Sequence, residues 1–261
     1  MSTADLNGIT IGYDDVGTSD DVLVLVHGHP FDRSMWQPQL DQPGWRVIAP
    51  DLRGYGETTV VPGVTPLSTF AGDIAALLDH LGVERFVLGG LSMGGQIVLE
   101  CHRLFPARLR GLLLADTFAQ GETPDGRRAR NDMADRLLRE GMEGYAEEVL
   151  TKMVAPYNLA SAGEHVFRMM RHAPAEGAAA ALRGRAERPD YTDMLGAIAV
   201  PTLVVVGSDD VFTPVADAEY LHDRIPGSTL AVIEDAGHMP NLERMDEFDK
   251  ALDGLLSEVR S

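Results

Sequence analysis

The 261-residue sequence predicts a doubly wound, mostly parallel α/β sheet with one helical insertion. Short apolar, β-branched runs alternate with helical patterns, which is the signature of repeated βα units. A polar or glycine-rich motif follows several of those runs. One long interval, residues 117–190, breaks the alternation and shows no strand pattern.

Residues 9–13 are expected to form an antiparallel edge strand. The runs at 22–26, 46–49, 86–88, 112–115, 202–206 and 229–233 read as parallel strands buried on both faces. Between them, Ile74, Leu77, Leu78 and Leu81 recur at i, i+3, i+4 and i+7, and Gly82 is placed to cap that helix. Further helices are expected from Gln96 to Phe105 and over 215–224 and 242–258. The predicted division is a core of residues 1–116 and 191–261, with 117–190 inserted between its halves. A chain of this length is accommodated by a single α/β domain.

Composition narrows the function classes. The formal charge is −18 and 44% of residues are hydrophobic. Such a surface repels a phosphate backbone, so nucleic acid is not an expected partner. No stretch approaches a membrane span, and the first residues lack the basic and apolar regions of a signal peptide, so a cytoplasmic protein is expected. A monomer and a homo-oligomer fit this composition equally. The single cysteine, Cys101, permits no intramolecular disulfide and lies among Val98, Leu99 and Leu104, where a core thiol is expected.

The densest chemical signal is Gly90-Leu91-Ser92-Met93-Gly94-Gly95, between the run Phe86-Val87-Leu88 and a helical pattern. A G-x-S-x-G at a strand-to-helix junction is a nucleophile elbow. Its turn leaves no room for side chains two residues either side of the serine. The Met93 amide, at the helix N-terminus, is a candidate donor to developing negative charge.

A serine hydroxyl near neutral pH needs a base, and the base needs an orienting acid. His238 lies in Gly237-His238-Met239-Pro240, a turn beyond the run at 229–233, and is the candidate base. Asp210 ends Gly207-Ser208-Asp209-Asp210, beyond the run at 202–206, and is the candidate acid. Asp116, after the run 112–115, is a second candidate, its alternative role being to cap the turn that follows. In an open parallel sheet these positions share one edge, so residues 118 and 28 apart in sequence converge. Upstream, His27-Gly28-His29-Pro30 follows the run at 22–26. There the His29 amide is the candidate second oxyanion donor, and His27 is expected to fix the loop. The remaining histidines, His80, His102, His165, His172 and His222, lie in helical patterns with no metal-ligand spacing. No metal or organic cofactor is expected.

These motifs, with Asp51-Leu52-Arg53-Gly54-Tyr55-Gly56, resemble those of the α/β-hydrolase superfamily over essentially the whole chain. The elbow and the Met35-Trp36 pair are similar to the enol-lactonase-like and small carboxylesterase branches, and cofactor-free perhydrolases share nearly the same motifs. Ser92 stands where haloalkane dehalogenases and epoxide hydrolases carry aspartate. The resemblance implies the chain order Ser92, Asp210, His238 for the triad, and a helical lid at 117–190. It implies cleavage of a small ester or lactone through an acyl-enzyme. The alternatives are a perhydrolase, in which peroxide captures the acyl group, and a hydrolase-like receptor that binds without turnover. Phe31, Trp36, Tyr55 and Met239 are the candidate substrate-pocket residues, with Tyr55 alternatively part of a structural turn.

The insert differs in charge from the rest. It holds 11 of the 22 basic residues and 12 of the 40 acidic ones, a net of −1 against −17 elsewhere. Five of the 11 methionines lie in it: Met133, Met142, Met153, Met169 and Met170. They suit either an adaptable pocket roof or packing between helices. Arg127, Arg128, Arg130, Arg168 and Arg171 are the candidates to meet an anionic substrate, the alternative being solvated helix faces.

Overall fold

The structure, a computed structural model, describes residues 2–260. Eight strands form one sheet: β1 (Ser2–Leu6), β2 (Ile9–Val16), β3 (Val22–Val26), β4 (Arg46–Pro50), β5 (Phe86–Leu91), β6 (Leu109–Ala115), β7 (Thr202–Gly207) and β8 (Thr229–Ile233). Their spatial order is β1-β2-β4-β3-β5-β6-β7-β8. The pairings from β4 to β8 are parallel, and β1 and β2 join antiparallel.

The strand β1 is absent from the sequence reading. Its signal is Asn7-Gly8, a two-residue hairpin turn in which both residues have positive φ, 52° and 74°. The turn sets Leu6 opposite Ile9. Two other expectations are corrected. The strand β8 is the sheet edge and only Ile233 in it is buried. The helix expected over 242–258 divides at Arg244 into α8 (Pro240–Glu243) and α9 (Met245–Arg260).

The central strands are buried on both faces, and alternation sorts their side chains. Val22, Val24 and Val26 join one core layer, while Leu23 and Leu25 join the other. The helices α1 (Leu67–His80) and α2 (Met93–Leu104) supply Phe70, Ile74, Leu77 and Ile97 to the first layer. The helix α9 supplies Phe248, Leu252 and Leu255 to the second. Cys101 is buried in the first layer, where desolvation pushes its thiol well above the usual range. Among the described residues no helix is long and apolar enough to cross a membrane.

Between β6 and β7 the chain adds α3 (Pro124–Glu140), α4 (Glu143–Met153), α5 (Glu164–His172) and α6 (Ala175–Ala186), and α7 (Val215–Arg224) follows β7. At two glycines the insert meets the core backbone to backbone. A Cβ on Gly177 of α6 would collide with the Gly54 carbonyl, and one on Gly184 with that of Thr65. Met142 packs into the first core layer and Met169 and Met170 into the second, so these three pack helices.

Candidate active site

The sheet fixes the site through its change of winding direction. The strands β3 and β5 are neighbours, with Val26 opposite Gly90, and the chain leaves their C-terminal ends toward opposite sides of the sheet. A crevice forms at such a point. Ser92 sits there with φ 58° and ψ −116°. A side chain in this region costs on the order of 1–3 kcal/mol, which the surrounding turn must hold in place. The Ser92 N–H donates to Ala115 O at 2.9 Å, and Ser92 O accepts from the Thr117 hydroxyl at 2.8 Å. A Cβ on Gly90 would collide with the Gly94 carbonyl carbon, and one on Gly94 with Val26 O. Glycine is therefore required at both flanks.

The loop after β3 lies directly against this elbow. A Cβ on Gly28 would sit 3.3 Å from Ser92 Cβ. His27 fixes the loop. Its Nε2 accepts from the Leu52 N–H at 2.9 Å, so Nδ1 carries the proton and donates to Gly28 O at 2.8 Å. His29 lies 2.7 Å from the Tyr55 hydroxyl through Nδ1. Burial, then Arg185 and Arg130, push His29 well below the usual histidine range, so it is neutral.

Asp210 and His238 meet at 2.7 Å, Oδ2 to Nδ1, both buried. The Asp210 carboxylate also accepts from the Phe212 N–H at 2.8 Å, the Thr213 N–H at 3.2 Å and the Thr213 hydroxyl. Burial alone raises its pKa. The His238 ring and these donors outweigh burial and hold Asp210 below the ordinary carboxylate value. Asp209, its neighbour, instead takes the Tyr157 hydroxyl at the surface.

Asp116 is the third acid here, with φ 46° at the end of β6. Its Oδ1 accepts from the Gly207 N–H at 3.0 Å, and its buried Oδ2 has no hydrogen-bond partner. Burial and then repulsion from Asp210 push Asp116 well above the ordinary carboxylate range, which favours its neutral form. Oxygen and nitrogen atoms of Asp116, Asp210 and His238 all lie within 4.8 Å of one another. The Asp210 carboxylate already accepts from His238, Phe212 and Thr213, and burial favours neutral Asp116, so this group suits a cation poorly.

Sequence reasoning missed Glu243. Its carboxylate accepts from the N–H groups of Gly237 (3.0 Å), Met239 (3.1 Å) and Ala155 (2.9 Å) and from Asn158 Nδ2 (3.0 Å). It thereby clamps both sides of His238, and the His238 N–H donates to Met153 O at 3.0 Å. Nothing in the local sequence flags Glu243, because three of its partners are backbone N–H groups, which any residue type supplies, and Ala155 and Asn158 lie more than 80 residues away.

A cavity of about 430 Å³ opens over Ser92, His29 and His238. Its apolar wall comes from Phe118, Met133, Tyr145, Val149, Met153 and Leu182 of the insert, with Phe212 beyond β7. Phe31, Trp36, Tyr55 and Met239 are not among its lining residues. Each is buried behind it: Trp36 packs on Phe248 with ring centres 6.0 Å apart, Tyr55 holds His29, and Phe31 and Met239 join the second core layer. The insert, and not the residues that follow β3, provides most of the apolar wall.

Comparison with known proteins agrees with this arrangement. Residues 23–251 match the family described as the alpha/beta hydrolase family. The 3-oxoadipate enol-lactonase 2 of Acinetobacter baylyi is 30% identical over 254 residues, covering 95% of this chain and 93% of that protein. A thermophilic esterase from Thermogutta terrifontis, solved with malate bound, superposes with a TM-score of 0.95 at 39% identity, covering 100% of this chain and 99% of that one. The enol-lactonase from Burkholderia xenovorans LB400 superposes with a TM-score of 0.89 at 28% identity, covering 98% and 100%. The order of the strands, the elbow at Ser92 and the match across nearly the whole length agree, and the chain belongs to the α/β hydrolase family.

Proposed function

We propose that the protein hydrolyses a small carboxylic ester or lactone through an acyl-enzyme formed on Ser92. The observation that carries this reading is the opening of one cavity onto Ser92, strained at its elbow, and onto the buried Asp210–His238 pair. The names of the esterase and enol-lactonase relatives support the same bond class.

In this mechanism Ser92 attacks the carbonyl carbon while His238 Nε2 takes its proton. Asp210 holds Nδ1–H and stabilises the imidazolium. The His29 and Met93 amides receive the oxyanion, each such donor being worth about 10²–10³ in turnover. His238 then protonates the leaving alkoxide, and water repeats the sequence on the acyl-enzyme. The residues of 117–190 act as the lid, excluding water and shaping the acyl site. The single buried thiol and acidic surface support a cytoplasmic enzyme.

A fluorophosphonate probe tests the reading. Stoichiometric labelling of a peptide containing Ser92, lost in Ser92→Ala and strongly slowed in His238→Ala, is expected. Labelling elsewhere, or none in protein that hydrolyses p-nitrophenyl acetate, would overturn it.

A further inference from the structure

Of the five insert arginines expected to face an anion, four are paired. Arg127 bonds Glu187, Arg128 bonds Asp125, Arg130 bonds Glu122, and Arg171 lies 3.7 Å from Glu143. The fifth, Arg168, is exposed and does not line the cavity. The cation that stands apart is Arg185, in the last turn of α6. It is 7% exposed and lines the cavity with Ser92 and His238.

Arg185 lacks what buried arginines normally have. Arg188, one turn on, bonds Glu122 at 2.6 Å and Gln120 O at 2.9 Å, and Arg33 is ringed by Asp14, Asp51 and Glu57. Among the described residues Arg185 has one side-chain hydrogen bond, Nε to Gln96 Oε1 at 3.1 Å, and no carboxylate. Among the described residues no bond pairs its Nη1 or Nη2, and the side chain lines the cavity. Burial, then Arg130 and Arg188, disfavour its charge, yet a guanidinium keeps its proton in proteins. The C-terminal end of α6 offsets only a small part of that penalty. The one carboxylate lining the cavity, Glu148, is held at 2.9 Å by Arg136.

Resting on the hydrolase reading above, we infer that Arg185 is a carboxylate receptor and that the substrate is an ester or lactone bearing a second, free carboxylate. The planar fork presents two parallel N–H donors to a carboxylate, a bidentate geometry that selects orientation as well as charge. Gln96 holds Nε, which leaves the Nη donors for a ligand. The free carboxylate would be bound at Arg185 while the scissile carbonyl lies at Ser92. A half-ester is therefore favoured over the diester of the same acid.

The test measures kcat/KM for monomethyl and dimethyl succinate, glutarate and adipate in wild type, Arg185→Gln and Arg185→Lys. For at least one chain length, wild type should prefer the half-ester. That preference should fall about 10- to 100-fold in Arg185→Gln and less in Arg185→Lys. Calorimetry adds a measurement free of turnover and of variants: succinate, glutarate or adipate should bind wild type, and its diamide should not. A half-ester preference unmoved in both variants, or equal binding of diacid and diamide, would sink the inference. Diacid binding lost in Arg185→Gln without hydrolysis of any ester would retain the receptor and overturn the hydrolase reading instead.

Discussion

Asp116, after β6, and Asp210, in the loop beyond β7, each bring a carboxyl oxygen within 4.8 Å of the other and of a nitrogen of His238. Only Asp210 takes the His238 Nδ1 proton, at 2.7 Å. Burial and then Asp210 push the Asp116 carboxyl well above the ordinary range. Their roles therefore separate on substitution. Asp210→Asn should lower kcat by about 10²–10⁴, because an amide favours the wrong imidazole tautomer. Asp116→Asn should cost less than about tenfold, since its amide oxygen still accepts from Gly207 and it does not hold the His238 proton. Steady-state kinetics showing the reverse order would exchange the assignments.

The same pair predicts a pH dependence of stability. The native state holds a proton on Asp116 that the unfolded chain releases above about pH 3.9. Between that pH and the raised native value, unfolding releases a proton, so this group's contribution to stability falls as pH rises. Asp116→Asn removes that term. Its melting temperature relative to wild type should climb steadily between pH 5 and 8 in calorimetric scans. A constant difference would show Asp116 ionised in the native protein.

Ser92, Asp210 and His238 should behave as a unit. Ser92→Ala and His238→Ala are each expected to lower kcat by about 10³–10⁶, and the double variant to lose little more. Multiplicative losses in the double variant would mean that the two residues act in separate steps.

Glu243 should matter as much for placement as for stability. Glu243→Ala leaves the N–H groups of Gly237, Met239 and Ala155 without an acceptor, at about 1–3 kcal/mol each. The expected result is a melting temperature lower by several degrees and kcat reduced by about tenfold or more. Glu243→Gln, retaining one acceptor oxygen, should recover part of both. Full activity in Glu243→Ala would show that the His238 loop holds its shape unaided.

Much of this site is readable in the chain because its pieces are local. An elbow needs glycine two residues either side of Ser92, and Asp210 and His238 each follow directly on a strand. What is not readable depends on long-range packing. Arg185 looks like any helical arginine until α6 folds over Ser92 and leaves it unpaired. Trp36 and Phe31 follow the loop after β3 in sequence, yet both are buried in the second core layer. The hairpin at Asn7-Gly8 carried its own signal in the turn dipeptide and its alternating flanks.

The bond from the His238 N–H to Met153 O makes the end of α4 part of the support for the base. A designer who exchanged residues 117–190 for the equivalent stretch of a relative would replace that support as well. Ala155 and Asn158, two of the partners of Glu243, would leave with it. Substrate range and catalytic rate are thus not independent modules in this chain. A transplanted roof must bring a matching seam at 153–158, or it will change the chemistry while changing the pocket.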